Sequence, residues 1–278
     1  MILIADSGST KTDWCGINDG SIFCVQTQGI NPFHQSQETI LAILYRELLP
    51  QLPVEPIEYI YFYGSGCTPQ KGKLLNSCLK KVFGEQTHTE VYNDLLGAAR
   101  ALCGHDRGIA CILGTGSNSC YYDGEKIVDN IPPLGYIIGD EGSGAYMGKR
   151  LIADCLKKQL PENIRLAFNN EYQFTQEEII QRIYREPMPN RFLAEMVPFI
   201  VKFRQEPAIH KLIMDSFESF ITRNLSQYPS HVPVYATGSV AYYLQEELRE
   251  AMNLHGFTLK HIEKAPLKGL VNFHKNTF

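Results

Sequence analysis

The sequence predicts an α/β protein with two domains, 1–106 and 107–278. The first observation is its length of 278 residues, which exceeds the usual size of a single core. The second is a series of strand, glycine-containing turn, strand and hairpin turn that begins at residue 1 and begins again at residue 109. The third is the alternation of apolar strand patterns with helical stripes, which is typical of α/β proteins.

The first domain is predicted to begin with three antiparallel strands. Residues 1–5 form a buried strand pattern, and strands over 13–18 and 21–25 flank Asp19-Gly20, a two-residue hairpin signal. The later elements of this domain are a helix over 36–49, a strand over 57–63, a helix over 73–83 and a strand over 90–92. Asp94 then stands where the last strand meets another helix.

The second domain is predicted to follow a polar, glycine-bearing link at 104–108. Its strands are expected over 109–113, 119–122, 232–236 and 257–262, with Asp123-Gly124 as another hairpin turn. Helical insertions are expected between them, over 141–158, 177–184, 190–204 and 208–226, and a further helix over 240–252. The helix at 177 opens with a capping box, Thr175 and Glu178.

The composition excludes several classes of protein. Hydrophobic residues make up 44% and charged residues 20%, as in ordinary globular proteins. The net charge of 26 − 30 = −4 gives no reason to expect nucleic acid or an anionic membrane as a partner. No apolar run approaches the ~20 residues of a membrane helix, and the opening residues 1–5 lack the basic region of a signal peptide.

The cysteines predict a reducing environment. The eight cysteines include no C-x-x-C pair, and several lie inside apolar runs, as Cys111 does. We therefore expect buried, reduced thiols rather than disulfides, and a cytoplasmic location.

Asp94 is the candidate catalytic residue. A carboxylate at a strand end could face a cleft and take a proton from a substrate hydroxyl. Most Asp residues at helix starts only cap the helix, and this interpretation stays open. The catalytic interpretation is favoured by glycine-containing turns elsewhere in the chain, which lie at 6–10, 114–118, 139–143 and 237–239.

Two of these turns predict phosphate binding. In the first, glycine lets backbone N–H groups approach phosphate oxygens, Thr10 adds a hydroxyl, and Asp6 could hold Mg²⁺ directly or through water. A plain hairpin turn explains this pattern equally well. Gly114-Thr115-Gly116 is a second turn of the same kind, and a cleft between the two would hold a polyphosphate from both sides. Neither a Walker A loop nor a G-x-G-x-x-G after a strand is present.

The other two turns predict contacts to the remaining parts of a ligand. Asp140 is a candidate for a polar contact, whereas Glu141 is expected to compensate the charge of a helix N-terminus. Thr237-Gly238-Ser239 is similar to a backbone platform beneath a planar base, with a helix cap by Ser239 as the alternative. The eight histidines are scattered, so no metal cluster is predicted from them.

Five motifs together carry a resemblance to a known family. They are Asp6–Thr12, Asn93–Ala98, Gly114–Asn118, Gly139–Ser143 and Gly238–Val240. In this order and spacing they resemble the N-acetylglucosamine kinases and the wider BadF/BadG/BcrA/BcrD-type ATPase family of the actin, hexokinase and Hsp70 superfamily. The resemblance runs over nearly the whole chain.

The resemblance implies a fold and a set of site residues. The fold would be two ribonuclease-H-like (actin-like ATPase) domains, each a mixed five-stranded sheet flanked by helices, with a nucleotide cleft between them. ATP and Mg²⁺ would be the cofactors, with Asp6 holding the metal and Asp94 as catalytic base. The nucleotide contacts would be Gly8, Ser9, Thr10, Lys11, Gly114, Thr115, Gly116, Gly238 and Ser239, and the sugar contacts Asn31, Ser65, Asn118 and Asp140. A homodimer is expected.

One departure leaves the sugar open. Leu134 stands where the family has a Trp that packs on the sugar, so an apolar wall remains but ring stacking is lost. The first hypothesis is a kinase that phosphorylates an amino sugar, N-acetylglucosamine at its primary alcohol. One alternative is an ATPase activator of a radical dehydratase or reductase, although Cys111 and Cys120 do not match its cluster-binding segment. Another is a nucleotide-binding sensor, in which Asp94 only caps its helix.

Overall fold

The computed structural model describes residues 1–8, 10–18 and 21–275, and it divides into two units. The first unit comprises Met1–Asp106, Gly124–Ile127 and the chain from Ala265 onward; the second comprises Arg107–Asp123 and Val128–Lys264. Ser9 and the predicted hairpin turn at Asp19-Gly20 lie outside the described residues.

The first unit contains a mixed five-stranded sheet. Its strands are β1 (Ile2–Ser7), β2 (Lys11–Asn18), β3 (Ser21–Gln28), β4 (Tyr59–Gly64) and β5 (His88–Asn93), in the order β3-β2-β1-β4-β5. The first three strands are antiparallel, as predicted, whereas β1, β4 and β5 are parallel. One face of this sheet buries Leu3, Trp14 and Phe62 in an apolar core.

Three helices of this unit follow its strands. They are α1 (Gln37–Ile43), α2 (Pro69–Phe83) and α3 (Asp94–Cys103). The predicted helix over 36–49 is α1 continued by a π-helical turn, Leu44–Leu48, and a 3₁₀ turn, Leu49–Gln51. The side chains of Ser36 and Thr68 cap α1 and α2, because each accepts a hydrogen bond from the backbone amide three residues later.

The second unit is built on another mixed five-stranded sheet. Its strands are β6 (Gly108–Leu113), β7 (Ser117–Tyr122), β8 (Ile127–Asp129), β9 (Val234–Thr237) and β10 (Leu259–Glu263), in the order β10-β9-β6-β7-β8; the first residue of β8, Ile127, is grouped with the first unit. β6 is antiparallel to β7 and parallel to β9, and β9 is parallel to β10. Alternate residues of β6, namely Ile109, Cys111 and Leu113, belong to the large apolar core of this unit.

Helices supply most of that core. They are α4 (Gly135–Ile138), α5 (Gly144–Leu156), α6 (Glu162–Tyr172), α7 (Gln176–Tyr184), α8 (Pro189–Ala194), α9 (Val197–Lys202), α10 (Pro207–Arg223), α11 (Ser239–Tyr243) and α12 (Gln245–Leu254). The capping box of Thr175 and Glu178 is confirmed. The predicted helix over 190–204 is interrupted because Pro198 has no N–H to continue it, so the chain starts a new helix there.

A last helix, α13 (Leu267–Lys275), was not predicted from the sequence, and it packs against α3 in the first unit. Gly269 makes this packing close, since a Cβ there would lie 2.8 Å from the carbonyl carbon of Ala101. Nε2 of His274 on the same helix lies 2.8 Å from the hydroxyl of Tyr63. No helix in the described chain has the length and apolar character needed to span a membrane.

The expectation of reduced thiols is wrong for one pair of cysteines. Cys15 on β2 and Cys24 on β3 are directly opposite each other in the antiparallel register and form a disulfide. The pairing follows from the register of the hairpin, which brings the two side chains to the same face of the sheet. The other six cysteines are buried and form no disulfide.

Candidate active site

Three parallel strands of the first unit end side by side. In the sheet register Ser7 of β1 pairs with Gly64 of β4, and Gly64 pairs with Asn93 of β5. The chain continues from these ends into Ser65 and Asp94. Open α/β sheets bind their ligands beyond the carboxyl ends of the strands, and several predicted site residues gather at this edge.

Asp94 is the first residue of α3, but its neighbour Asn93 caps the helix. Oδ1 of Asn93 accepts a hydrogen bond of 2.8 Å from the amide of Leu96, and Oδ1 of Asp94 accepts one of 3.0 Å from Leu95. Burial raises the pKa of the half-buried Asp94 carboxyl, although backbone amides act in the opposite direction. Asn93 therefore holds the cap position, Asp94 still accepts from one amide of the first turn, and its raised pKa suits a general base.

Asp6 lies next to further negative charge. It is on β1, opposite Asp13 of β2. Burial, followed by the charges of Asp94 and Asp13, raises the pKa of Asp6 to about 7, while Lys11 lowers it. Lys11, predicted to contact phosphate, pairs with Asp13 at 2.8 Å, and Gln26 also donates to Asp13, at 2.6 Å. A cation would relieve the repulsion between these carboxylates.

The turn between β1 and β2 is closed by the amide of Gly8, which donates to the carbonyl of Lys11 at 3.0 Å. Beneath it the hydroxyls of Ser7 and Thr12 are hydrogen-bonded at 2.6 Å. A Cβ at Gly8 would meet only the Lys11 oxygen, at 3.8 Å, so packing within the chain does not require a glycine there. Gly8 and Thr10 are both exposed, as a ligand-binding turn needs to be.

Asn31 and Ser65 lie at the same edge of the first sheet. The amide of Ser65 donates to the carbonyl of Ser7 at 3.0 Å. Gly66 has a φ of +75°, and a Cβ there would lie 2.9 Å from Cγ of Asn31, so glycine allows Asn31 to approach this turn. Oδ1 of Asn31 accepts from the amide two residues later, at 3.0 Å, which leaves Nδ2 as a donor for a ligand.

In the second unit two predicted turns are in contact. Ile112 of β6 pairs with Thr237 of β9, so the turns that follow these strands leave the sheet at adjacent points. A Cβ on Gly238 would overlap the carbonyl of Leu113 and lie 3.2 Å from the amide of Gly114, and φ at Gly238 is +111°. Only glycine fits this position.

The turn from Gly114 to Gly116 is held by α5. The carbonyls of Gly114 and Thr115 accept from the amides of Gly144 and Ala145, at 2.8 and 3.0 Å. The amides of Thr115 and Gly116 donate to no backbone carbonyl in the part of the chain that the structure describes. A Cβ at Gly114 would meet no atom within 4 Å. Available amides beside open space are what a phosphate oxygen requires.

Asp140 lies beside that turn and is buried. A Cβ on Gly116 would be 2.9 Å from Oδ2 of Asp140. Burial raises the pKa of Asp140 to about 6; Glu141 acts in the same direction, while a hydrogen bond from the Ser117 amide and the charge of Lys149 oppose it. The structure thus brings Asp140 together with the second predicted phosphate turn.

Glu141, expected to compensate the charge of a helix N-terminus, lies two residues before Ser143, which caps α5 with its Oγ accepting from the amide of Tyr146 at 3.2 Å. The carboxylate of Glu141 is paired with Nε of Arg223, the last residue of α10, at 2.6 Å.

Asn118 and Ser239 complete the predicted set. Oδ1 of Asn118 accepts from the amide of Ser119 at 2.9 Å and from Nδ2 of Asn130 at 3.0 Å, so its Nδ2 is left to donate. Ser239 is the first residue of α11, whose cap position is held by Gly238 with no side-chain hydrogen bond. The alternative in which Ser239 caps that helix is therefore wrong.

An exposed apolar surface precedes Asp140. Leu134, in the left-handed conformation with φ of 61°, is 58% exposed, and Ile137 and Ile138 are 70% and 67% exposed. The amide of Asp140 donates to the carbonyl of Pro133 at 2.8 Å, which ties this surface to the carboxylate. The two isoleucines were missed in the sequence, where they resemble ordinary core residues of a short helix.

The residues of the first unit fit a magnesium ion that is bound together with a nucleotide. No group of three His, Cys, Asp or Glu side chains within the described residues could hold a metal ion by itself. Asp6 offers a half-buried carboxylate whose charge is disfavoured by its neighbours. Mg²⁺ usually takes one or two carboxylates, substrate phosphates and several waters, so a single protein ligand is enough.

Comparison with known proteins gives the family. A scan against protein-family models and a search of curated proteins each found no match. Among solved structures, a crystal structure of a proposed N-acetylglucosamine kinase from Porphyromonas gingivalis is 47% identical, with 99% of each chain covered and a TM-score of 0.96. The chain belongs to the N-acetylglucosamine kinase family. The predicted family is thus confirmed, and so is the predicted enzyme class, an ATP-dependent carbohydrate kinase.

Two further structures extend the likeness in fold. A proposed N-acetylglucosamine kinase from Chromobacterium violaceum is 18% identical, with 98% of each chain covered and a TM-score of 0.76. A ROK family glucokinase from Streptomyces griseus, solved with glucose and AMPPNP, is 14% identical, with 99% and 98% covered and a TM-score of 0.53. The predicted actin-like fold with two mixed sheets is confirmed for this N-acetylglucosamine kinase family member.

Proposed function

We propose that the protein transfers the γ-phosphoryl group of ATP to a hydroxyl of an amino sugar, N-acetylglucosamine at its primary alcohol, to give the 6-phosphate. The observation that carries the proposal is the sheet edge of the first unit. There Asn93 holds the cap position of α3, and Asp94 beside it has a raised pKa and acts electrostatically on Asp6. Family membership supports the same reaction.

Asp94 is the proposed catalytic base. It accepts the proton of the attacking sugar hydroxyl as the phosphoryl group moves in line, a contribution worth about 10²- to 10⁴-fold in rate. Asp6 would hold Mg²⁺, which supplies positive charge to the phosphate oxygens when bound. Because the pKa of Asp6 is about 7, a bound cation would also keep this carboxylate ionised near neutral pH.

The glycine turns are proposed to bind the nucleotide. The amides of Thr115 and Gly116, with the open space at Gly114, suit phosphate oxygens. On the other unit Gly8, Ser9, Thr10 and Lys11 would add contacts to the β- and γ-phosphate side. Gly238 and Ser239 would lie beneath the adenosine. These roles come from the family resemblance and from the glycine positions described above.

The polar residues of both units suit a sugar ligand. Nδ2 of Asn31 and Nδ2 of Asn118 are left as donors, whereas Asp140 offers acceptor oxygens. Ser65 adds a hydroxyl at the edge that carries Asp94. The apolar surface at Leu134 would cover the part of the sugar that carries no hydroxyl groups.

A coupled assay of ADP release tests the proposal. The purified protein is assayed with Mg²⁺-ATP against N-acetylglucosamine, N-acetylmannosamine, glucosamine and glucose, with the Asp94→Asn variant as control. We expect the greatest stimulation by N-acetylglucosamine and a product whose ³¹P and ¹H NMR spectra show the ester at the primary alcohol. ADP release that no sugar stimulates, or that survives in Asp94→Asn, would contradict the proposal.

The iron-sulfur alternative finds no support in the structure. Cys111 and Cys120 are buried within β6 and β7, where a cluster shared between two subunits could not reach them. The expected homodimer and cytoplasmic location stay predictions; light scattering on the purified protein would measure the oligomeric state.

A further inference from the structure

A cavity of about 460 Å³ lies in the first unit between α2 and β5. It is distinct from the residues assigned above to ATP, Mg²⁺ and sugar, since none of them lines it. Its volume is in the range of small-molecule sites, which is about 300–1,000 Å³. Its polar lining includes Thr68, Lys73, Asn76, Thr89 and Asn93, and Tyr92, whose hydroxyl donates to Glu90 at 2.6 Å.

Three acceptor atoms of these side chains already accept a hydrogen bond within the chain. Oδ1 of Asn76 accepts from the hydroxyl of Thr89, and Oδ1 of Asn93 accepts from the backbone amide three residues later, at 2.8 Å. Oγ1 of Thr68 accepts from the backbone amide of Lys71, at 3.3 Å. The donors that remain for a ligand are Nδ2 of each asparagine and the hydroxyl hydrogen of Thr68.

Lys73 is the charged side chain of the described lining, although the carboxylate of Asp94 acts electrostatically on Cys67, which lines the same cavity. Lys73 is exposed on α2, and no ion pair holds it among the residues that the structure describes. No Asp or Glu occurs in the described lining of the cavity. A cavity with an ammonium group, amide donors and no carboxylate favours a ligand that is anionic and rich in acceptor oxygens.

The donors are spread along the cavity rather than collected at one point. Thr89 and Asn93 are four residues apart on β5, a distance of about 13 Å along a strand. Asn76 contacts Thr89, and Lys73 lies one helical turn before Asn76 on the same face of α2. An inorganic anion would satisfy only part of this row, whereas an elongated molecule with several oxygens could engage all of it.

We propose that this cavity binds a small sugar phosphate, a phosphomonoester on a polyhydroxylated body. The phosphate lies against Lys73, and the hydroxyl oxygens of the body accept from Nδ2 of Asn76 and Asn93. Val91 and Leu96, which also line the cavity, contact the carbon atoms of the ligand.

Occupancy of the cavity would reach the proposed catalytic base through Asn93. This side chain caps α3, and Asp94 is the next residue and the first of that helix. A ligand bonded to Nδ2 of Asn93 therefore acts on the group that holds the first turn of α3. This consequence rests on the proposed kinase function, whereas binding to the cavity does not. With an active kinase, we expect the ligand to change turnover in the wild type but not in Lys73→Gln.

Isothermal titration of the nucleotide-free protein tests the binding itself. The probe is glucose 6-phosphate, with inorganic phosphate and glucose as comparison ligands. We expect Lys73→Gln to weaken binding of glucose 6-phosphate about tenfold, as loss of one charge-assisted hydrogen bond does. Asn76→Asp should weaken it further, because the aspartate keeps the acceptor for Thr89 but replaces the donor with a negative charge.

A matched control is available on the same helix. Lys81→Gln removes the same charge from α2 outside the cavity, and we expect it to leave the affinity unchanged. Equal melting temperatures of the variants would show that the fold is kept. Unchanged affinity in both cavity variants would overturn the proposal, as would inorganic phosphate binding as tightly as glucose 6-phosphate.

A further variant tests whether glucose 6-phosphate binds at the proposed nucleotide turn instead of in the cavity. If Gly114→Ala in the second unit removes binding of glucose 6-phosphate and the cavity variants do not, the anion occupies the proposed nucleotide turn and the proposal is wrong. The titration contains no ATP and measures no turnover. If the protein phosphorylates no sugar, the kinase proposal is wrong, but the measured binding of glucose 6-phosphate to the cavity is unaffected.

Discussion

Replacing Gly114 with alanine separates nucleotide binding from folding. A Cβ at this position would meet no atom within 4 Å, and its φ lies outside the left-handed region. At such a position alanine stabilises a protein by about 0.4–1 kcal/mol, because it restricts the unfolded chain. We therefore expect the melting temperature of Gly114→Ala to stay the same or to rise by roughly 1–4 °C.

Nucleotide binding should respond in the opposite way. The added methyl group enters the open space at Gly114, in the turn whose amides at Thr115 and Gly116 we propose to bind phosphate oxygens. A hydrogen bond to a charged group contributes about 1.5–3 kcal/mol, so loss of one predicts a dissociation constant for ATP about 10- to 100-fold higher. Isothermal titration with AMPPNP in the presence of Mg²⁺ measures this change directly.

Gly238→Ala is the matched control, with the same chemical change at the neighbouring turn. Its Cβ would overlap the carbonyl of Leu113, and its φ of +111° is unfavourable for alanine. We expect this variant to lose about 1–3 kcal/mol of stability and to melt at a lower temperature. If Gly114→Ala binds AMPPNP as tightly as the wild type does, the assignment of this turn to phosphate binding is wrong. If it melts at as low a temperature as Gly238→Ala, the space beside Gly114 cannot accommodate a methyl group.

Three other predictions concern the site. Asp94→Asn should lower turnover by about 10²- to 10⁴-fold and change the affinity for ATP less than threefold, as measured by the ADP assay and titration; loss of ATP binding would mean that the residue does not act as a base. Asp6 has a folded-state pKa of about 7, above its ordinary value of 3.8, so the folded protein binds this proton more tightly than the unfolded chain does. The free energy of unfolding therefore falls as the pH rises from about 4 to about 7. In urea unfolding without metal, Asp6→Asn should therefore gain stability relative to the wild type at pH 8 and little at pH 4; a gain of equal size at both would contradict the raised pKa. Leu134→Trp should lower the KM for N-acetylglucosamine by about 2- to 10-fold, the effect of one aromatic contact of roughly 0.5–1.5 kcal/mol; a KM that rises, with kcat unchanged, would place the exposed apolar surface elsewhere than against the sugar.

Local patterns in the sequence predicted most of the elements correctly. The capping box of Thr175 and Glu178 begins α7 as expected, because its hydrogen bonds join residues that are three positions apart. The sequence also placed Asp94 at the junction of a strand and a helix. These features depend on neighbours in the chain, so no knowledge of the fold is needed to find them.

Features that depend on distant contacts were missed. α13 has only nine residues, too few for a stable isolated helix, and its close packing on α3 through Gly269 is what supports it. The disulfide between Cys15 and Cys24 required the register of two strands. Cysteine spacing alone carried no such signal.

The sequence by itself determined the family and the order of the strands, turns and helices, because motifs and periodicity are local properties. The tertiary structure decided which carboxyl groups have raised pKa values. Asp6 and Asp94 are far apart in the chain, and only the parallel alignment of β1, β4 and β5 makes the charge of one raise the pKa of the other. Burial and the repulsion between charges come into existence only when these strands are assembled, and for that reason they could not be predicted from the residues alone.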